Sequence, residues 1–74
     1  MNWKKLTPAH YSDKELKLLR ITTKQGRIIH ETGVVDTDGE IWHHSESSAF
    51  PSRYLGQATQ HKEIHFVVIG EILF

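Results

Sequence analysis

The sequence predicts a mainly β protein, a small antiparallel sheet or open barrel of about four strands with a short helical turn near the N-terminus. Residues 63–69 are rich in β-branched and aromatic residues, which suit a pleated, packed surface. Glycine turns at residues 25–26 and 38–39 separate apolar segments, as hairpin turns do. An α+β fold is the alternative, because residues 12–20 also fit a helix.

Length and composition limit the architecture. The chain has 74 residues and no cysteine, which indicates one small domain without disulfides or thiolate metal sites. A domain of this size buries roughly 60% of its unfolded surface, so its stability margin is small. Hydrophobic residues make up only 38% of the chain. We therefore expect a single domain over residues 1–74 that gains stability by self-association.

The charge balance bears on the partners. Nine basic residues balance nine acidic ones, whereas proteins that bind nucleic acid usually carry a basic surface or patch. Nucleic acid is therefore the less expected partner. No apolar window is long enough for a spanning helix, and residues 1–8 lack the apolar segment of a secretory signal. We expect a cytoplasmic protein with no membrane partner and no cofactor.

Residues 1–11 provide apolar anchors rather than a periodic pattern. Trp3 is the largest anchor, and we expect it to dock on the core from an extended arm or a short edge strand. Pro8 excludes a helix interior, but it fits the first position of a helix that Thr7 would cap.

The next segment carries two competing signals. Residues 12–15 have the serine-to-glutamate spacing of a capping box, which predicts a helical turn that begins at Asp13. The alternating, β-branched residues after it predict a strand over residues 17–24. The alternative is a helix that continues through Arg20, because the leucines before it also share a helical face.

The first hairpin turn is predicted at residues 25–26, because glycine adopts positive φ without penalty. A two-residue loop there predicts a second strand over residues 27–35. It pairs Arg20 with Glu31, which is a favourable cross-strand pair. It also places two cations opposite each other beside the turn, so a longer loop stays open.

The second hairpin has the strongest local turn signal, an Asp-Gly pair at residues 38–39 between apolar segments. A two-residue loop pairs Val35 with Trp42, whereas a four-residue loop places Gly33 opposite Trp42. The third strand is short, over residues 40–44.

These strands present two different faces. The predicted core face carries the aliphatic side chains of Leu19, Ile21, Ile28, Val34 and Ile41. The opposite face carries a mixed set, which consists of Arg20, Thr22, Ile29, Glu31, Val35 and Trp42. After them, residues 45–60 have no sustained period and predict a long loop. Loops of this length are uncommon in small domains unless they are functional.

The last segment favours self-association. Its predicted strand carries apolar side chains on both faces, and the three residues 72–74 that close the sequence are apolar as well. Exposed apolar patches with aromatic residues are typical of interfaces. We therefore predict a non-enzymatic interaction or assembly module, most simply a twofold homodimer, although an unknown protein partner would fit the same patch. The predicted interface residues are Trp42, Val67, Ile69, Ile72 and Phe74.

A small β-barrel that binds single-stranded nucleic acid is the alternative function. Aromatic residues interleaved with basic ones on a sheet face would stack bases and contact phosphates. The residues predicted for this function are Arg20, Arg27, Trp42, Arg53 and Tyr54.

A histidine metal site is the third hypothesis. The chain has six histidines, and His61, Glu63 and His65 would share one face of a strand. They offer the nitrogen and carboxylate ligands that zinc uses. The simpler interpretation is that they are ordinary half-exposed strand residues.

Other chemistries have weaker support. Residues 36–40 resemble the opening of a calcium loop but lack its closing glutamate. Serines near His43 and His44 lack a strained nucleophile elbow, so we expect no enzymatic activity. The layout, with Trp3 near the start and a hairpin over residues 34–42, resembles in style the short β proteins of phages and mobile gene cassettes. That hairpin assigns no role to any residue.

Overall fold

The computed structural model describes residues 2–44 and 53–72. These residues contain six strands in one open antiparallel sheet, with two short 3-10 turns. The strands are β1 Lys4–Lys5, β2 Glu15–Thr22, β3 Ile28–Val35, β4 Glu40–His43, β5 Arg53–Gln57 and β6 Glu63–Glu71, in the sheet order β1-β6-β2-β3-β4-β5. The mainly β class is confirmed, with six strands rather than the predicted four.

The helical turn near the N-terminus is present, but it lies earlier than the capping box indicated. Pro8–His10 forms a 3-10 turn with Thr7 at the N-cap, which is the alternative that the proline offered. The backbone N–H of Thr7 donates to His10 Nδ1 at 3.0 Å.

β2 occupies the segment that also fitted a helix. It starts at Glu15, so the turn predicted from Asp13 and the helix through Arg20 are both wrong. Ser12, the predicted cap, accepts a hydrogen bond from the N–H of Lys14 at 3.2 Å and closes a local turn instead. β2 lies between β6 and β3, and burial between two strands outweighs one capping interaction.

Both predicted hairpins form, but each has a three-residue loop that ends in glycine. Gly26 and Gly39 adopt φ angles of 84° and 80°, as expected for the last residue of such a loop after a type I turn. The predicted registers are therefore wrong by one residue. In the second hairpin, Val35 pairs with Ile41 rather than with Trp42.

A side-chain oxygen just before each loop favours the longer form. Thr23 Oγ1 accepts the N–H of Arg27 at 3.0 Å. Asp36 Oδ1 accepts the N–H of Glu40 at 2.9 Å. In each hairpin the side chain thus satisfies the N–H group that follows the glycine.

The register shift exchanges the two faces of β3, because side chains alternate with a period of two. Arg20 pairs with His30 rather than with Glu31. Ile28, predicted for the core, is 58% exposed, and Val35, predicted for the opposite face, is fully buried.

The main core lies on one face of the sheet, which we call the inner face. Its buried cluster consists of Leu19, Ile21, Val35, Ile41, Ile64 and Phe66. The residues packed against this cluster are Leu6, Tyr11, Ile29, Leu55 and Ala58. A smaller buried cluster of Leu16, Val34 and Ile72 lies on the other face, which we call the outer face.

The sheet curls around the inner face. β5 and β6 are four positions apart in the strand order, yet only residues 58–62 join them. In a flat sheet these strands would lie about 19 Å apart sideways. The joining segment bonds to Gly39 through Ala58 N–H and to Thr22 through Lys62 N–H. It therefore crosses the inner face from one end of the sheet to the other, which requires strong curvature.

The predicted loop over residues 45–60 is wrong in its second part. Arg53–Gln57 forms β5, which pairs with β4, and Ala58–Gln60 forms a 3-10 turn. Gly56 adopts a φ of 88° where the register shifts. The segment lacks an alternating pattern, since its short edge strand is interrupted by this irregularity. Residues 45–52 lie outside the described part of the chain.

Candidate functional site

The C-terminal strand has one partly open side. β6 confirms the predicted strand over residues 63–69 and extends it to Glu71. It pairs with β2 along its length, but β1 and the following Leu6 cover its other side only from Ile64 to Phe66. Within residues 2–44 and 53–72, no strand pairs with that side from Val67 onward.

The backbone of Val68 points toward the open side. The N–H of Leu6 donates to the carbonyl of Ile64 at 2.7 Å, so the backbone groups of Ile64 point away from β2, toward the side on which β1 lies. Every second residue of a strand faces the same way, and Val68 follows at that spacing. Its side chain is 46% exposed and that of Ile69 is 37% exposed.

A β-bulge lies at the same place. The register between β6 and β2 shifts between Leu16 and Lys17, and this shift leaves Ile69 without a partner on β2. A bulge bends its strand and interrupts the hydrogen-bond ladder. A partner at this edge would therefore contact mainly the exposed aliphatic side chains, because the bulge interrupts the row of unpaired backbone groups.

The structure separates the residues that were predicted for an interface. Ile69 is exposed, Val67 is half-buried, and Ile72 is buried in the outer-face cluster. Trp42 lies on β4, with β2 and β3 between it and β6. Phe74 lies outside the described residues. The described residues of the predicted set thus do not form one patch. The exposed neighbour of Ile69 is Val68, which was not predicted, and not Trp42.

Trp42 and Tyr54 form an aromatic pair on the outer face, with ring centroids 4.9 Å apart. Trp42 Nε1 donates to Asp36 Oδ2 at 3.1 Å, and the Tyr54 hydroxyl donates to Glu40 Oε2. The hydrogen bond between the Tyr54 hydroxyl and Glu40 raises the pKa of Tyr54, and the negative charges of Glu40 and Asp36 raise this pKa further. We call these four residues the acidic corner. Its carboxylates would repel the phosphates of a nucleic acid stacked there.

The arginines of the predicted nucleic-acid site are dispersed. Arg53 Nη2 lies 2.9 Å from Glu31 Oε1, and its strand register places it opposite His43 on the inner face. Arg27 is exposed directly after the β2–β3 loop. Arg20 lies on the outer face in the middle of β2. Arg20 therefore shares the outer face with the acidic corner but lies two strands away and further along the sheet, and Arg53 lies on the opposite face.

The residues predicted for a metal site are not brought together. Glu63 and His65 share a face of β6, but His61 precedes the strand. His61 Nε2 lies 3.3 Å from the carbonyl oxygen of Leu55. Among the described residues, no three histidine, cysteine or acidic side chains are placed to hold an ion.

The sequence interpretation missed a cluster around Trp3. This ring lies on the outer face rather than on the core, with the Arg20 guanidinium carbon 4.1 Å from its centroid. His30 contacts it edge-on, with ring centroids 6.2 Å apart. The register of the first hairpin is the signal for this cluster, because it places His30 opposite Arg20.

A groove of about 210 Å³ separates the N-terminal segment from the link between β5 and β6. Its ionisable lining residues are Lys5, His61, Lys62 and Glu63. Typical small-molecule sites have volumes of about 300–1,000 Å³, so this groove is small for a substrate.

No helix within the described ranges is long and apolar enough to cross a membrane. Comparisons of the chain with family models, with curated proteins and with solved structures find no match. Its function is therefore inferred from the residues and their geometry.

Proposed function

We propose that this protein is a non-enzymatic assembly module that forms a homodimer through the C-terminal half of β6. The observation that supports this most directly is the exposed pair Val68 and Ile69, on the side of β6 that β1 leaves open. A twofold axis near Val68 would let each copy cover the pair of the other with the same surface. The expected compartment is the cytoplasm.

The exposed pair sets the scale of the affinity. Burying the exposed parts of Val68 and Ile69 contributes about 1 kcal/mol for each side chain, or about 4 kcal/mol for a dimer. The loss of translational and rotational freedom on association costs at least about 4 kcal/mol. These side chains alone give a weak dimer, so association is expected only at high protein concentration unless other residues contribute.

Ile28 provides the internal comparison. It is the most exposed of the large apolar side chains in the described part of the chain. It lies at the start of β3, far along the sheet from Val68. Single exposed apolar residues are normal on protein surfaces. It is therefore a matched site at which a charge should leave the dimer intact.

Sedimentation equilibrium tests the proposal over a range from about 5 μM to about 500 μM, which the energy estimate requires. The wild type should associate within this range. Val68→Asp should stay monomeric, because it places two like charges at the twofold contact. Ile28→Asp should dimerise like the wild type.

Two outcomes contradict the proposal. One is a wild-type protein that stays monomeric at the highest concentration. The other is a Val68→Asp variant that keeps its circular dichroism spectrum and still dimerises with wild-type affinity. Ile69→Lys is the second variant for this test. It should fold, since the bulge at Ile69 is already irregular and tolerates a long, exposed side chain.

A further inference from the structure

Four side chains with basic groups form one row across the outer face, and two of them, Lys5 and Arg20, are cationic at neutral pH. The strand register pairs Lys5 with His65, His65 with Arg20, and Arg20 with His30. Residues directly opposite each other in a sheet project from the same face. We call these four residues the basic row. It crosses β1, β6, β2 and β3, and at about 4.8 Å per strand it is about 14 Å long.

No carboxylate in the described part of the chain forms an ion pair with the basic row. The ion pairs found there join Lys17 with Glu15 and Arg53 with Glu31, and His43 Nδ1 lies 3.2 Å from Glu31 Oε2. The neighbouring row on one side is uncharged, with Val67, Leu18 and Thr32. The neighbouring row on the other side contains Glu63, Thr22 and Ile28. Glu63 is therefore the only acidic strand residue in a row next to the basic row.

Arg20 is held in position at the middle of the basic row. Its guanidinium lies over the Trp3 ring, and its Nε donates to His30 Nε2 at 3.2 Å. Its two Nη groups donate to no residue among those described. A guanidinium fork with its orientation set on one side and donors available on the other binds oxyanions such as phosphate.

We propose that the basic row binds the backbone of a single-stranded nucleic acid, with a base against Trp3. A stacked strand carries one phosphate about every 3.4 Å, so a row of about 14 Å faces several consecutive charges. Trp3 is half-buried beside the row and offers an aromatic surface for stacking. An acidic peptide would match the charge but would offer no base to the indole, and an anionic membrane, which would also use the indole, is separated from a nucleic acid by the experiment below.

The balanced net charge does not oppose this site, because the charges are segregated. Acidic residues 36, 38 and 40 lie together at the β3–β4 turn, away from the basic row. The ligand is the one predicted as the alternative function, but Trp3 takes the role assigned to Trp42. The site is independent of the proposed dimer, whose contact lies on the open side of β6.

Fluorescence anisotropy with a labelled oligothymidylate of about 15 nucleotides tests the site. The affinity should fall steeply as salt rises from about 50 to about 200 mM. Lys5→Gln and Arg20→Gln should each weaken binding and should each reduce the salt slope by about one. Trp3→Ala should weaken binding about tenfold through lost stacking.

The matched control is Arg53→Gln, which removes the same charge from the opposite face. It should bind like the wild type, and so should Val68→Asp, which tests the dimer separately. The Lys5 side chain has no hydrogen bond, ion pair or ring contact with the described residues, so Lys5→Gln keeps the test valid if Arg20→Gln unfolds.

Three results overturn the inference. The first is no binding of the oligonucleotide at about 50 mM salt, where phosphate contacts are strong. The second is an equal loss in Lys5→Gln and Arg53→Gln, which would indicate binding by overall charge alone. The third is tighter binding to polyglutamate or to phosphatidylserine vesicles, which would assign the row to a protein or a membrane.

Discussion

The two tryptophans of the outer face lie in opposite electrostatic surroundings. Trp3 lies under the Arg20 guanidinium of the basic row. Trp42 donates its indole N–H to Asp36 of the acidic corner. The same residue type therefore marks a cationic surface on one half of the sheet and an anionic surface on the other. The surroundings of each ring, rather than the ring itself, decide which ligand it favours.

The two rings also differ in how firmly they are held. Trp42 lies within β4, is hydrogen-bonded through its N–H, and contacts Tyr54. Trp3 precedes a strand of two residues, and its contacts are with Arg20 and His30. We therefore expect Trp42 to contribute more to the stability of the fold than Trp3.

The largest difference should appear on truncation of each ring. Trp42→Ala removes a half-buried indole and should lower the free energy of unfolding by about 3 kcal/mol. Trp3→Ala should lower it by about 1 kcal/mol, because the Trp3 ring lies outside the main core and its cation–π contact is weak. Urea unfolding followed by circular dichroism measures both. Equal losses would contradict the assigned roles, and Trp42→Phe should lose less than Trp42→Ala.

A smaller difference is expected between the polar partners of the two rings. Asp36 accepts hydrogen bonds from the N–H groups of Asp38 and Glu40 and from Trp42. Asp36→Ala should therefore cost about 2 kcal/mol, whereas Arg20→Ala should cost about 0.5–1 kcal/mol. The same urea assay compares the two losses of stability. A larger loss in Arg20→Ala than in Asp36→Ala would show that the contacts of Arg20, rather than those of Asp36, stabilise the fold.

The acidic corner should also be visible in the titration of Tyr54. The hydrogen bond to Glu40 favours the neutral phenol, so the folded-state pKa lies above the ordinary value of 10.0. The associated stability is present at neutral pH and is lost as the pH rises through the raised pKa. In a Tyr11→Phe background, Glu40→Gln should shift the phenolate absorbance transition to lower pH. An unchanged transition would show that Glu40 does not set this pKa.

The smallest effect is expected from neutralising the end of the basic row. Lys5→Gln removes a positive charge from the same row as Arg20 and should raise stability by about 0.3 kcal/mol at low salt. The gain should disappear at about 0.5 M salt, where exposed charges are screened. Thermal unfolding at two salt concentrations measures it. A loss of stability at low salt would show that Lys5 makes a favourable contact in the folded protein.

Local patterns in the sequence were enough to identify most strands and both hairpin turns. β6 follows from its run of β-branched and aromatic residues, and Gly26 and Gly39 mark turns because they adopt positive φ. β5 was missed because it is a short edge strand with Gly56 at an irregularity. Ile69, Arg20 and His65 were among the predicted candidates, whereas Val68 and Trp3 were not, because their grouping into surfaces depends on the register.

The sequence by itself determined where the chain extends and where it turns, since these depend on neighbouring residues. Only the tertiary structure decided which side chains face each other. Glycine ends a two-residue or a three-residue loop equally well, and the side chains of Thr23 and Asp36, together with packing, select the longer form. The one extra residue in the loop shifts the register and so exchanges the two faces of β3. It places His30 beside Arg20 and so completes the basic row.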